Sequence, residues 1–171
     1  RIPYPADIKQ KYLDGSDPDL YPNVDWMKEI FKNTSTSQRV NLNISGGGKR
    51  IRYYVSGSFY NENGLYNAQK GDQYNPSLYY NKFSFRSNLD IDVTSSTIVN
   101  VNLANQYENK NRPGVDTNVM WEWVMQTVPI STPTVYSDGT IASPHNGANP
   151  YNSLNNTGYS HDFYNNAQAL I

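Results

Sequence analysis

Between about residues 38 and 107, apolar and polar residues alternate with a period of two, which predicts β-strands rather than helices. In the first run, Val40, Leu42 and Ile44 fall on one face and Asn41, Asn43 and Ser45 on the other. Three further runs repeat this alternation, with apolar members Ile51, Tyr53, Val55 and Phe59, then Phe83, Phe85, Leu89 and Ile91, then Val99, Val101 and Leu103. The sequence therefore predicts four antiparallel strands within residues 38–108.

The connections between these strands differ in length. Turns near residues 46–49 and 93–96 are short, whereas the connection over 61–78 and the chain after residue 109 are long and polar. At the first turn, Gly46, Gly47 and Gly48 are expected to supply positive φ angles. Alternating short and long loops are typical of outer-membrane barrels, whose periplasmic turns are tight and whose external loops are extended.

The residues opposite the apolar faces are Asn, Ser, Tyr, Arg and Asp. A hydrated interior shared with other protein accounts for this set better than bulk water, with the apolar side turned to lipid. The predicted fold is all-β: part of a large antiparallel transmembrane β-barrel, with about four early strands and long extracellular loops. Aromatic residues near the strand ends fit interfacial girdles or cross-strand packing, and these are Tyr53, Tyr54, Phe59, Tyr60, Tyr79, Tyr80 and Tyr107.

The flanks of the strand region read differently. Residues 1–37 are predicted to form an extracellular loop with one short helix near 25–32. Residues 109–165 are predicted as a long extracellular loop, with a helical turn near 120–125 that Asp116 or Thr117 caps. Residues 166–171 are a possible start of the next strand. Both ends look cut from a longer polypeptide, since four strands cannot close a barrel.

Composition narrows the class of protein. Only 37% of the residues are apolar, the mean hydropathy is -0.74, and yet 13% are aromatic, including 15 tyrosines, a mix that neither disorder nor a compact α/β enzyme favours. The formal net charge is -1 with both signs interspersed, so no basic surface for nucleic acid is expected. The chain has no cysteine, which excludes disulfides and thiol chemistry within it.

No chemical motif is complete. Asp14, Asp17, Asp19 and Asp25 could be read as a calcium loop, but they fail the EF-hand spacing and are interpreted as solvated turns. His145 and His161 are too far apart for a local metal motif. Asp90 and Asp92 share a strand face near a turn and are interpreted as wall residues rather than a hydrolytic pair. We therefore predict no catalytic residue, no metal and no cofactor.

Aromatic residues in the long loops are the candidate ligand contacts, because their rings can stack on sugars or grip peptide side chains. The candidate substrate-binding residues are Trp121, Trp123, Tyr136 and Tyr151. Packing between loops, or contact with a lid protein, would explain the same residues, and the sequence leaves that choice open.

An ordered set of segments resembles the SusC/RagA-like TonB-dependent transporters of Bacteroidota. Residues 23–31 (NVDWMKEIF) match the pattern N-x-D-W-x-x-x-x-F, and residues 38–47 (QRVNLNISGG) form a strand that ends in S-G-G. The likeness continues through 52–64 (RYYVSGSFYNENG) and 83–90 (FSFRSNLD). Residues 133–139 (PTVYSDG) and the Asn149-Pro150 pair also resemble loop elements of that family.

This resemblance implies a position after the plug domain in the barrel of an active importer of oligosaccharides or peptides in the bacterial outer membrane. The implied partners are a SusD-like surface lipoprotein, TonB through parts absent from this chain, and outer-membrane lipid. The protein would make no covalent change to its solute, so no enzyme is expected. Two alternatives remain from the residues alone: a secreted or surface β-sandwich that binds carbohydrate, with the apolar residues buried between two sheets, and a carbohydrate-active enzyme with paired acids in a cleft.

Overall fold

The computed structural model describes residues 4–70, 73–144 and 147–171. The elements in chain order are the helices α1 (Ala6–Asp14) and α2 (Trp26–Ile30), the strands β1 (Ser37–Gly47), β2 (Ile51–Asn63), β3 (Tyr79–Asp92) and β4 (Ile98–Pro113), the helices α3 (Thr117–Gln126) and α4 (Pro150–Asn155), and the strand β5 (Tyr159–Leu170). The chain divides into two compact units: a loop unit (residues up to 34, 65–77 and 112–160) and a sheet unit (35–64, 78–111 and 161–171).

The sheet unit is a meander of five strands in the order β1-β2-β3-β4-β5. The first four strands pair antiparallel along their lengths, with Val40 opposite Phe59, Phe59 opposite Phe83 and Phe83 opposite Tyr107. The strands are 11 to 16 residues long, and a transmembrane β-strand needs about 9–11. The predicted antiparallel all-β architecture is confirmed.

The number of strands is five rather than about four. β5 begins at Tyr159, well before the possible strand start predicted at residue 166, and β4 continues to Pro113, beyond the predicted limit at 108. The alternation is hidden at these positions because polar residues occupy both faces, as in the run NQYENKNRP that ends β4. Backbone pairing to a neighbouring strand extends both strands without an apolar side-chain signal.

The glycines of the first turn act by allowing close approach, not by positive φ. Within the described ranges, the glycines with positive φ are Gly15, Gly139, Gly147 and Gly158, so the prediction for the turn at residues 46–48 is wrong. A Cβ on Gly46 would lie 2.6 Å from the Tyr53 hydroxyl oxygen, and one on Gly47 would lie 2.7 Å from the Ile51 carbonyl oxygen. Both glycines therefore leave room for residues of β2.

Two helices, α2 and α3, were predicted from the sequence, whereas α1 and α4 lie in stretches predicted as loop. Asp25 caps α2 by accepting from the Lys28 N–H. Asp116, one of the two predicted caps, caps α3 by accepting from the Asn118 N–H. α1 lies in the stretch predicted as loop. It ends at Gly15, whose left-handed conformation (φ 64°) and N–H bond to the Lys11 carbonyl form a C-cap.

The loop unit has a small core of its own. α2, α3 and α4 pack on one another and bury Trp26, Ile30, Met120, Val124 and Leu154. No helix among the described residues is both long enough and apolar enough to cross a membrane.

Candidate functional site

One face of the sheet is apolar and exposed. We call this surface the apolar face: on β1 its side chains Val40, Leu42 and Ile44 are 61%, 65% and 55% exposed. The register continues it across β2, β3 and β4 through Ile51, Tyr53, Phe83, Phe85 and Leu103, all of them exposed. On β5 the exposed Phe163 lies on the same side, because the flanking Asn165 and His161 bond to Asn105 and Asn109 of that face. Soluble monomers rarely present a continuous apolar surface of this kind. The sheet unit forms a single sheet in the described chain, so the second layer that a β-sandwich requires is not there.

Aromatic rings cross the apolar face near the end of the sheet from which the long connections leave. The ring centroids of Phe59 and Phe83 are 4.8 Å apart, those of Phe83 and Tyr107 are 6.2 Å apart, and His161 lies 4.4 Å from Phe163. A row of rings at one level of a membrane strand is the arrangement of an interfacial girdle.

Three of the predicted girdle residues lie on the other side of the sheet. Tyr54, Tyr60 and Tyr80 alternate with apolar-face residues and so belong to the opposite, polar face, where Tyr60 and Tyr80 meet edge to face at 6.0 Å. Their placement in a girdle is therefore wrong, because proximity to a strand end does not decide which face a side chain takes.

The polar face carries paired charges at both ends. At the short-turn end, Arg52 binds both carboxylate oxygens of Asp92 at 3.1 Å and lies 3.7 Å from Asp90. Nearer the long connections, Lys82 lies 3.2 Å from Glu108. Between the two pairs, a depression of about 690 Å³ is lined mainly by small hydroxyl and amide side chains. Over β1 to β4 the sheet is thus mainly apolar on one side, where Ser87 and Asn105 interrupt the series, and hydrophilic on the other.

Trp121 is the most exposed of the four candidate ligand contacts, at 49%. Its ring lies 5.5 Å from that of Phe31, which stacks in turn on Tyr66 at 5.5 Å. Phe31 and Tyr66 also form a β-bridge, and Tyr66 is buried. Burial raises the pKa of the Tyr66 phenol, since the charged form would lose its hydration. The exposed indole therefore rests on a fixed aromatic support.

The other three candidates are half-buried and have structural contacts. The Trp123 carbonyl accepts from the Thr127 hydroxyl at 2.7 Å. Tyr136 opens a tight turn in which its N–H donates to the Thr140 carbonyl at 2.8 Å, and the Tyr151 N–H donates to the Asn149 side chain at 3.0 Å. No ring contact joins any two of the four candidates in the ranges that the structure describes.

Asn149 organises this region, a role that the sequence signals did not reveal. Its amide nitrogen donates to the carbonyls of Thr134 (2.9 Å) and Ala142 (2.8 Å), and its oxygen accepts the N–H groups of Tyr151 and Asn152 at the start of α4. The motif Asn-Pro marks the cap, but the two long-range acceptors lie in a different stretch of loop and leave no local pattern.

The acidic residues of the first loop have structural partners. Asp14 and Asp17 accept backbone N–H groups of Ser16 and Leu20, and Asp19 binds the backbone and hydroxyl of Ser137. No group of three or more potential metal ligands occurs in the portion of the chain that is described. His145 lies outside the described residues, and His161 meets the Asn109 side chain at 2.6 Å.

Asp25 illustrates how these contacts tune a carboxyl group. The Lys28 side chain, 2.8 Å away, and then the Lys28 N–H hold the pKa of Asp25 below its usual value. Because the folded-state pKa is depressed, the stability that this cap contributes is complete above the ordinary pKa and is lost as the pH falls through the lowered one.

A long-stranded antiparallel sheet with an exposed apolar face, a hydrophilic opposite face and an aromatic row defines a segment of an outer-membrane β-barrel wall. Over 81 residues, the chain is 35% identical to the TonB-dependent receptor P3 of Formosa agariphila. This match covers 47% of this chain and 7% of that relative. The structure of the RagAB peptide importer in its closed-closed state shares the fold, with a TM-score of 0.51 and 19% identity, over 84% of this chain and 18% of that chain. No protein-family model matches the chain.

These similarities confirm the resemblance to SusC/RagA-like TonB-dependent transporters, the barrel architecture and the bacterial outer membrane as the location. The chain spans a small part of the length of both relatives. Neither relative is named as an enzyme.

Proposed function

We propose that this chain is a wall and outer-loop segment of a TonB-dependent active importer that carries oligosaccharides or peptides across the outer membrane. A SusD-like lipoprotein covers the outer mouth of the barrel, and TonB supplies energy through parts of the protein outside this chain. The segment binds and guides its solute without covalent chemistry. The predicted absence of catalytic residues, metal and cofactor belongs to the same proposal.

The exposed apolar face is the observation that carries this proposal. Transfer of apolar side chains such as Leu42 and Phe85 from water into lipid is favourable. Hydrogen bonds between the strands pair the backbone N–H and C=O groups, which find no partner in lipid. The hydroxyl and amide groups of the polar face then line a hydrated interior. Neither a sandwich nor a soluble enzyme would leave this face uncovered.

The lengths of the connections indicate which end of the sheet faces the periplasm and which faces the outside of the cell. The β1–β2 and β3–β4 turns are short and share one end of the sheet, while the β2–β3 and β4–β5 connections leave from the other end. By the usual arrangement of such barrels, the short turns are periplasmic and the residues of the loop unit are external. Residues 1–37, the β2–β3 connection and most of 109–165 accordingly form outer loops.

External loops are where a solute first meets the importer. Trp121 is the best placed of the four candidates, because its exposed ring is held by Phe31 and Tyr66 and loses little freedom when a ligand stacks on it. Trp123, Tyr136 and Tyr151 remain proposed contacts through their exposed parts.

The membrane position is tested by two neighbouring residues of β1, Leu42 and Asn43, which point to opposite faces. A nitroxide is attached to the parent protein, freed of other cysteines, at Leu42→Cys or Asn43→Cys, and its collisions with oxygen and with a water-soluble nickel chelate are measured in membranes. We expect the label at 42 to collide mainly with oxygen, which is concentrated in lipid, and the label at 43 mainly with the chelate.

Each variant is the matched control of the other, because they share a strand and a depth. Equal chelate access at both positions, or release of the parent protein by an alkaline wash without detergent, would refute the proposed membrane wall.

A further inference from the structure

The middle of the polar face carries a single charge. Three successive cross-strand rows occupy it, and the register gives their members as Asn41, Ser58, Ser84 and Gln106, then Asn43, Ser56, Arg86 and Ala104, then Ser45, Tyr54, Asn88 and Asn102. Asn166 and Gln168 of β5 line the same depression. Arg86 is therefore the one ionised side chain in a surface of neutral hydroxyl and amide groups.

Arg86 has no counterion, unlike Arg52 and Lys82 on the same face. Outside the three middle rows, Arg39 lies over the Tyr60 ring, 5.1 Å from its centroid, and Lys110 also forms no ion pair with a described residue. Arg52 is paired with Asp90 and Asp92, and Lys82 is paired with Glu108. No carboxylate in the described sheet forms an ion pair with the Arg86 guanidinium. Its direct cross-strand neighbours are Ser56 and Ala104, whose small side chains leave open space around the guanidinium.

An unpaired guanidinium is costly once the face is enclosed. Inside a barrel filled with protein, the charge loses much of its hydration, and that loss is offset only by a partner of opposite charge with matching hydrogen bonds. The planar guanidinium is suited to two parallel bonds with one carboxylate. A passing solute would supply such a partner only briefly, whereas a segment packed in the barrel would supply it in every resting molecule.

We propose that Arg86 is the docking point for a carboxylate of the plug, the part of the same polypeptide that fills the barrel and lies outside this chain. The proposal rests on the proposed function, since it needs the polar face to be the inner wall. The two relatives are long enough to contain such a segment elsewhere in their sequences, because the chain spans 7% of one relative and 18% of the other. The contact holds the plug against the wall at mid-height of the polar face.

A zero-length cross-link tests this contact in the full-length protein in outer membranes. Arg86→Lys keeps the positive charge and introduces an amine, which a water-soluble carbodiimide joins to a touching carboxylate with loss of water. We expect mass spectrometry to find residue 86 joined to an Asp or Glu of the plug. The natural Lys82–Glu108 pair, 3.2 Å apart on the same face, is the built-in positive control. The unmodified protein is the negative control, because a guanidinium does not couple.

Two results would overturn the proposal. One is coupling of Lys82 to Glu108 with no product at residue 86, and the other is a product that joins residue 86 only to a wall carboxylate such as Asp90. Either result would leave the membrane position of Leu42 and Asn43 untouched, so that this inference can fail while the wall assignment stands. If the nitroxides at residues 42 and 43 did not differ in their collisions with oxygen and the chelate, both the wall assignment and the docking role of Arg86 would be refuted.

A second measurement does not depend on coupling chemistry. Removing the charge with Arg86→Gln weakens the hold on the plug, so the purified importer in planar bilayers opens to ions at a lower urea concentration. Asn88→Gln, two residues along the same face, changes size without charge and is expected to leave that concentration unchanged. An unchanged urea threshold in Arg86→Gln would contradict the docking role.

Discussion

At the scale of single residues, Asn149 shows how a loop without regular structure acquires a fixed shape. The side chain is buried, and its amide group is bonded on both sides, to two carbonyls of one stretch and to two N–H groups of α4. Buried backbone groups in loops need such partners because water cannot reach them. One asparagine here replaces the hydrogen bonds that a helix or a sheet would supply.

Replacing this residue should loosen the loop unit. Asn149→Ala removes the α4 cap, leaves the Ala142 carbonyl without its donor and leaves the Thr134 carbonyl with only the longer bond from the Ala142 N–H at 3.4 Å. Together these losses should cost about 2–4 kcal/mol of local stability. Limited proteolysis of the importer in outer-membrane vesicles should show faster cleavage within residues 112–160.

The matched control is Asn156→Ala, which removes only an exposed amide contact to Asn152. Equal cleavage rates for the two variants would show that the hydrogen bonds of Asn149 do not stabilise this region.

At the scale of elements, the boundary between β4 and β5 depends on a close backbone contact. The Gly114 N–H donates to the Gly158 carbonyl at 3.0 Å, and a Cβ on Gly114 would lie 2.2 Å from the Thr157 carbonyl oxygen. That oxygen belongs to the main chain, so the clash cannot be relieved by turning a side chain. The long connection therefore starts and ends at a point where only glycine fits.

Gly114→Ala should therefore reduce folding of the barrel, with a cost of about 1–3 kcal/mol from the forced backbone shift. Gly57→Ala is the control, since a Cβ there meets nothing within 4 Å. The fraction of the importer that resists SDS without heating measures the folded barrel, and it should fall for Gly114→Ala alone. A fall of the same size in both variants would point to strand propensity rather than the close contact.

The strands of the first four runs could be predicted from sequence because one face of each meets an apolar environment, which leaves a period-two signal. β5 gave only a weak signal, since Asn165, Ala167 and Ala169 follow Phe163 on the same side and interrupt the apolar series. α1 has no buried residue, so no apolar stripe marks it, although Pro5 before it and Gly15 after it are typical helix boundaries.

The candidate site was predictable only in part. Exposed loop aromatics could be named from residue type, and Trp121 fits that description. Its support by Phe31 and Tyr66 joins three separate connections, and the position of Arg86 among neutral side chains depends on the register of four strands. Neither arrangement could be predicted from a local stretch of sequence, because each brings together residues that are far apart along the chain.

At the scale of the whole molecule, the proposal assigns opposite sides of the membrane to the two kinds of connection. Leu20 lies exposed in the first long loop, and Ser95 lies exposed in the short β3–β4 turn. With cysteine at either position in otherwise cysteine-free protein, a maleimide on a bulky polymer reports which side each faces. The cells should lack the cap lipoprotein, so that it cannot shield Leu20.

We expect Leu20→Cys to be modified on intact cells and Ser95→Cys only after the outer membrane is opened. Modification of Ser95→Cys on intact cells, with Leu20→Cys protected, would reverse the orientation. Modification of both would argue against a membrane between them.

The bond between Gly114 and Gly158 also bears on how such importers diversify. Because residues 115–157 leave and rejoin the wall at adjacent backbone positions, this stretch is a closed cassette whose two ends are fixed to each other. A cassette of different length or chemistry can be exchanged at that junction while the strand spacing of the barrel stays the same. In the proposed importer, substitutions within residues 115–157 can therefore change the outer surface while β4 and β5 keep their places in the wall.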